Sequence, residues 1–280
     1  MSTATTSTNF TIPAGEVDGP NGEYELGATL DAPAGLTAAE LGAGSTPTAI
    51  VVACFTCARS AVGVTRISKT LAKHGIASLR IDLAGLGNSG GEFSKSTLST
   101  NVADVLATAR WLEHNARPPE LLVGHSLGGC AVIRAAGELE TVRAVATVGT
   151  PFDPRHVKDS IPEVAAIFDA AVGTTDEYQA VEIPGRGVSV GTGFFADLRL
   201  SNPDADLSAL QNSGISHLAI HSPDDNVVDF QEALDFVANP ARVSSLLRLP
   251  EIDHLLQRRG SGQRVGELIA SWAAIGVEKQ

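Results

Sequence analysis

The sequence predicts an α/β protein built on a mostly parallel, doubly wound sheet flanked by helices, with a small inserted cap. Three observations carry that expectation. Apolar runs rich in β-branched residues recur at 48–54, 76–81, 120–123, 142–148, 217–221 and 244–249, as expected of strands buried on both faces. Helical patterns separate them, and strands that alternate with helices imply parallel pairing through right-handed crossovers. The alternation breaks once, across 152–212, where Pro154, Pro162, Pro184 and Pro203 punctuate weak helical pieces and 185–193 is glycine-rich.

Residues 1–20 open on a Ser/Thr tract with neither a basic nor an apolar segment, so they are expected to be a flexible tail and not a signal peptide. A single domain over 21–280 follows. Turn residues surround two short possible strands within 12–33, of which 24–30 is the better, and these suit an antiparallel edge. The stretch 35–46 is Gly/Ala-rich and reads as a loop. After the strand at 48–54, residues 62–74 place Val64, Ile67, Leu71 and Ala72 on one helical face, and Gly75 ends that helix. The strand at 76–81 runs into a glycine-rich loop, 82–91, in which Asp82 is expected to anchor the turn by hydrogen bonds. A helix over 100–114 follows, and the next strand leads through 124–128 into a helix with Cys130, Ile133 and Ala136 inward. Beyond the strand at 142–148, the insertion at 152–212 lies between two sheet strands, a position that sets a cap over their carboxyl ends. Strand 217–221, helix 230–237, strand 244–249 and helix 263–275 complete the chain.

With 280 residues, 43% hydrophobic and 19% charged, the chain is long enough to bury a sizeable core. Its formal charge of −12 argues against nucleic acid and anionic membrane surfaces as partners, because both select positive surfaces. No apolar run reaches the roughly 18 residues that a spanning helix needs. Three cysteines, Cys54, Cys57 and Cys130, give no disulfide framework, and a reducing, cytoplasmic location is expected. Cys54-x-x-Cys57 has the spacing of a redox pair or of half a metal site, but no second ligand pair is spaced for zinc, and neither role is expected there. His74, His114, His156 and His217 read as helix-end or surface residues.

The chemistry centres on Gly124-His125-Ser126-Leu127-Gly128, a strand-to-helix turn of G-x-S-x-G type. Such a turn projects the Ser126 hydroxyl beyond the strand end and sets the Leu127 N–H at a helix N-terminus, where developing negative charge is favoured. Serine needs a base at neutral pH. In doubly wound sheets the partners sit on loops beyond strand carboxyl ends, and two later loops supply them: 221–228, with Asp224 and Asp225, and 249–254, with His254. Ser126 as nucleophile, Asp225 as acid and His254 as base follow the chain order of this type of site, with Asp224 and then Asp153 as alternatives for the acid. His125 lies beside the site as a packing or substrate-contact residue. Phe152, Phe168, Phe194 and Phe195 either line an apolar acyl pocket or form the insert's own small core.

GHSLGG at 124–129, D-x-x-G-x-G-x-S-x-G at 82–91, HSPDDNVV at 221–228 and DHLL at 253–256 together resemble the α/β-hydrolase family over roughly 24–275. Cys54-Phe55-Thr56-Cys57 and GTPFDP at 149–154 more narrowly resemble hydrolase domains fused to OsmC-type domains in bacteria, whose peroxide chemistry is not carried over. The resemblance implies the α/β-hydrolase fold. It also implies that the backbone N–H of Phe55 forms an oxyanion hole with that of Leu127, with Ala53 and Cys54 standing where the family has His-Gly.

The expected function is a serine hydrolase that cleaves a small-molecule carboxylic ester through an acyl-enzyme, with no cofactor. A thioesterase or acyltransferase would use the same three side chains. A non-enzymatic binding protein with an impaired oxyanion hole is the reading from another class.

Overall fold

A computed structural model of the chain describes residues 4–158 and 180–277. Ten strands and eight α-helices are seen among them: β1 (Thr5–Gly15), β2 (Glu23–Pro33), α1 (Ala38–Ala43), β3 (Thr48–Val52), α2 (Val62–Lys73), β4 (Ala77–Ile81), α3 (Leu98–Asn115), β5 (Leu121–His125), α4 (Leu127–Ala136), β6 (Ala144–Val148), β7 (Ala180–Glu182), β8 (Ser189–Gly191), α5 (Thr192–Arg199), α6 (Pro203–Asn212), β9 (Ser216–His221), α7 (Phe230–Ala238), β10 (Ser244–Arg248) and α8 (Ser261–Val277).

Eight strands form one sheet in the order β1-β2-β4-β3-β5-β6-β9-β10. The two pairings made by β2 are antiparallel and those from β4 through β10 are parallel. The central strands carry no hydrophilic face because helices cover both sides, and alternate residues divide between two cores. Ala49, Val51, Leu121, Val123, Ala146 and Ile220 point toward α2 and α8, where Val64, Ile67, Leu71, Val265 and Ile269 receive them. Ile50, Val52, Leu122, Val145 and Ala219 point the other way, toward Val105 and Leu112 of α3 and Val132 of α4. From β3 the chain winds outward to β4, then crosses back to β5 on the opposite side. That reversal opens a crevice at the carboxyl ends of β3 and β5, where this topology puts ligands.

Three expectations need correcting. The tail expected over 1–20 is, across Thr5–Gly15, the edge strand β1, paired along its whole length with β2. Its threonines favour extended backbone, and Phe10, Ile12 and Ala14 alternate onto the core: Ile12 is fully buried and Phe10 stacks on Trp111 at 4.6 Å. Within the segment read as a loop at 35–46, α1 forms because Thr37 and Glu40 make a reciprocal capping box. His217, expected at the surface, is fully buried in β9 with its ring nitrogens on the hydroxyls of Thr147 and Ser244, each at 2.8 Å.

A buried polar network stitches β2 to β4 and to the loop after β3. Arg80 pairs with Asp31 at 2.7 Å, and its guanidinium also donates to the carbonyl of Arg59. Arg59 pairs in turn with Asp82 and donates to the Thr29 hydroxyl. Asp82 accepts from the Asn88 amide at 2.9 Å, anchoring the glycine-rich loop as its composition implied. No helix among the described residues is long and apolar enough to cross a membrane.

Candidate active site

The turn from β5 into α4 is sharp because Gly124, Gly128 and Gly129 let backbones touch. A methyl on Gly124 would strike the backbone of Gly129. Ser126 sits at the apex with φ 52° and ψ −129°, a conformation that non-glycine residues adopt only when their surroundings impose it. Its amide donates to the Val148 carbonyl at 2.9 Å, and its carbonyl accepts from Gly129 at 2.8 Å. The backbone is thus clamped between β6 and α4. Leu127 begins α4, so its N–H has no carbonyl within the helix to bond.

Asp225 follows β9 and His254 follows β10, and the structure brings the two together: His254 Nδ1 lies 2.8 Å from Asp225 Oδ2. The other carboxylate oxygen accepts from the amides of Val227 and Val228 at 2.9 and 3.0 Å. Burial alone would raise the Asp225 carboxyl. The hydrogen bond and charge of His254, with the Val228 and Val227 amides, outweigh that and hold it below the usual carboxylate range. A carboxylate only accepts, so Nδ1 carries the hydrogen of this bond.

Neighbouring loops hold the histidine in place. His125, immediately before Ser126, is buried, and its Nε2 lies 2.7 Å from the His254 carbonyl. A carbonyl only accepts, so that nitrogen is the protonated one, and the two rings lie 5.1 Å apart. Burial, helped by the charge of His254, drives the His125 pKa down to about 4, so the ring is neutral at pH 7. Among the described residues, Asp224 makes no hydrogen bond to the His254 ring. Instead it accepts from the amide of Glu251 at 2.8 Å, in the same loop, where Glu251 has a φ of 67°. Asp253 caps the amides of Gln257 and Arg258, and Asp153 pairs with Arg155, away from the ring.

Gly149 was not singled out from the sequence, although it opens the GTPFDP stretch directly after β6. It has a φ of +53°, and a methyl there would stand 3.1 Å from Asp225 Oδ2 and 3.4 Å from His254 Nδ1. Only glycine leaves the pair its room.

Beyond β3 the chain turns at once, with the Cys57 amide donating to the Cys54 carbonyl at 3.0 Å and Thr56 at a φ of 61°. Contrary to the expectation of unpaired thiols, Cys54 and Cys57 are joined in a disulfide. The tight turn explains it, because it sets their Cα atoms 5.2 Å apart, within bridging reach. The Phe55 amide lies inside this turn, and among the described residues it donates to no acceptor.

The Phe55 ring meets Phe93 and Phe194 at 5.5 and 5.0 Å, and Phe194 meets Phe195 at 5.4 Å. Phe194 and Phe195 are buried, whereas Phe152 is half-buried against Phe236. Phe168 lies outside the described residues. Among the described residues no group of three or more His, Cys, Asp or Glu side chains is arranged to hold a metal ion.

Residues 45–182 match the family model described as "Serine aminopeptidase, S33". Among solved structures, the esterase domain of a Rhodothermus marinus protein is 30% identical with a TM-score of 0.70, over 96% of this chain and 98% of that one. Est1E from Butyrivibrio proteoclasticus, with ferulic acid bound, is 20% identical with a TM-score of 0.73, over 96% and 100%. Mouse alpha/beta hydrolase domain-containing protein 10 is 18% identical with a TM-score of 0.68, over 95% and 98%. A search of curated proteins returned no match. The chain belongs to the α/β-hydrolase family, and by that membership it is a hydrolase.

Proposed function

We propose that this chain is a serine esterase that cleaves small-molecule carboxylic esters through an acyl-enzyme on Ser126. The observation that carries the reading is the 2.8 Å bond between Asp225 and His254, held beside the Ser126 turn by the bond from His125 to the His254 carbonyl. The Rhodothermus marinus relative is itself an esterase domain, which favours an ester as the bond cleaved.

In this reading His254 Nε2 takes the Ser126 proton as Oγ attacks the ester carbonyl, and Asp225 stabilises the imidazolium that forms. The carbonyl oxygen becomes an oxyanion that the N–H groups of Phe55 and Leu127 hold, both free of competing acceptors among the described residues. The imidazolium then protonates the leaving alkoxide, and the alcohol departs. Water, deprotonated by the same nitrogen, attacks the acyl-enzyme and releases the acid with Ser126 restored. The reaction draws on no cofactor.

Within the insertion at 152–212, the described residues 180–199 are read as the cap. Support comes from the hairpin β7–β8, whose intervening Arg186 reaches the Thr56 hydroxyl at 3.0 Å and so meets the loop that carries Phe55. Among the described residues, Phe55 and Phe152, each half-buried, are aromatic groups that could meet an acyl or alcohol part.

The test is a series of p-nitrophenyl esters of graded chain length, with wild type beside Ser126→Ala. Wild type is expected to turn over the short members and the variant to lose essentially all turnover while keeping its fold. Undiminished hydrolysis by the variant would remove Ser126 from the mechanism.

A further inference from the structure

The loop that carries Phe55 is fixed at both ends and clasped in the middle. Upstream it leaves β3, paired on both sides with β4 and β5. Downstream Arg59 is locked by Asp82 and Thr29. Between those anchors the described backbone holds itself by the single turn bond from Cys57 to Cys54, and Thr56 occupies the left-handed region at φ 61°. For a β-branched residue that region costs roughly 1–2 kcal/mol, so the turn needs a restraint to persist. The disulfide between Cys54 and Cys57 is the covalent restraint, beside the bond from Arg186 to the Thr56 hydroxyl, and it brackets the Phe55 amide on either side.

The two sulfurs differ in access. Cys54 is 4% exposed, packed at the end of β3, whereas Cys57 is half-buried at the edge of the core beside α2, the more exposed of the two. Exchange therefore starts at Cys57.

We propose that the Cys54–Cys57 disulfide is a thiol–disulfide exchange site, reduced by a dithiol, that sets the catalytic competence of the adjoining oxyanion loop. This rests on the esterase reading above, since it acts through the Phe55 amide. A thiolate of the dithiol attacks Cys57 Sγ and the sulfur–sulfur bond breaks, expelling Cys54 as a thiolate that takes up a proton. The second thiolate of the reductant then attacks its own sulfur in the mixed disulfide and expels Cys57, which is protonated in turn. Two electrons pass to the protein, the dithiol ends as a disulfide, and the enzyme holds two thiols. Those sulfurs can no longer share a bond and must separate to contact distance. The turn opens, Thr56 leaves the left-handed region, and the Phe55 N–H swings away from the position an oxyanion would occupy. The bridged form is the active one.

The experiment compares the full chain before and after dithiothreitol treatment, with the reductant removed by desalting under argon before p-nitrophenyl butyrate is added. Alkylation and peptide mass spectrometry read the state of Cys54 and Cys57, and a fluorophosphonate probe reads Ser126. Reduction is expected to lower kcat about a hundredfold, the scale of losing one oxyanion donor, with KM little changed and activity restored on reoxidation. The paired variant Cys54→Ser with Cys57→Ser is expected to sit at the reduced level and to ignore dithiothreitol. If that variant fails to fold, the chemically reduced wild type decides the matter alone. Equal kcat in the two mass-verified states overturns the proposal and leaves the esterase reading intact, as does a disulfide that native protein does not yield to dithiothreitol. Absence of both ester turnover and probe labelling in either state overturns the esterase reading and this proposal with it.

Discussion

His125 Nε2 donates to the backbone carbonyl of His254 across 2.7 Å, so the residue beside the candidate nucleophile holds the loop of the candidate base. Loss of that donor leaves a buried carbonyl unpaired and frees the loop. His125→Phe is expected to lower kcat on a short ester about tenfold with KM nearly constant, a size consistent with the roughly 1–3 kcal/mol cost of one orphaned buried group. Steady-state kinetics on the purified variant check the split between the two constants.

The two neighbouring aspartates separate by contact. Asp225 bonds the His254 ring, whereas the Asp224 carboxylate accepts from the backbone amide of Glu251. Asp225→Asn is expected to cost about 10⁴ in kcat, because the amide favours the wrong ring tautomer. Asp224→Asn keeps an oxygen for the Glu251 amide and is expected to cost less than about tenfold, the scale of one weakened hydrogen bond. Parallel kcat measurements on the two variants rank them, and the reverse order would move the acid to position 224.

Gly149→Ala adds a single methyl next to the same pair and at a φ of +53°. It is expected to lower the midpoint of thermal unfolding by a few degrees, the effect of about 1–2 kcal/mol of backbone strain. Turnover should fall well beyond what that loss explains. Differential scanning calorimetry paired with kinetics separates the two effects.

His217 gives a signed pH dependence of stability. Burial depresses its pKa to about 3, against 6.5 for the unfolded chain. The unfolded state binds the proton first on acidification, so the stability due to the neutral ring is complete above pH 6.5 and drains as pH falls toward 3. At pH 5 that loss amounts to about 2 kcal/mol. Denaturant unfolding of wild type and His217→Gln at pH 7 and pH 5 is expected to show a smaller difference between the two pH values in the variant.

Much of this molecule was legible from the chain because its signals are local. The strands buried on both faces announce themselves as apolar runs, as Ile50–Val52 between Ala49 and Ala53 illustrates, and G-x-S-x-G fixes a strand-turn-helix by backbone sterics alone. The order of Ser126, Asp225 and His254 pointed to loops that the sheet topology then brought to one end. What escaped notice depends on partners far along the chain. The Ser/Thr-rich strand β1 looks like a tail until Phe10 finds Trp111 and Ile12 finds the core. His217 looks like a surface residue until Thr147 and Ser244 satisfy its ring. The Cys54–Cys57 bridge is local in sequence, but it depends on a left-handed Thr56 that no propensity would assign.

The central claim, that Ser126 is a nucleophile activated by His254, is tested most directly by reacting the intact protein with a fluorophosphonate and locating the adduct by peptide mass spectrometry. The account predicts one stoichiometric adduct on Ser126, absent from Ser126→Ala and slowed by orders of magnitude in His254→Ala. An unlabelled wild-type protein, or an adduct on another residue, would contradict it.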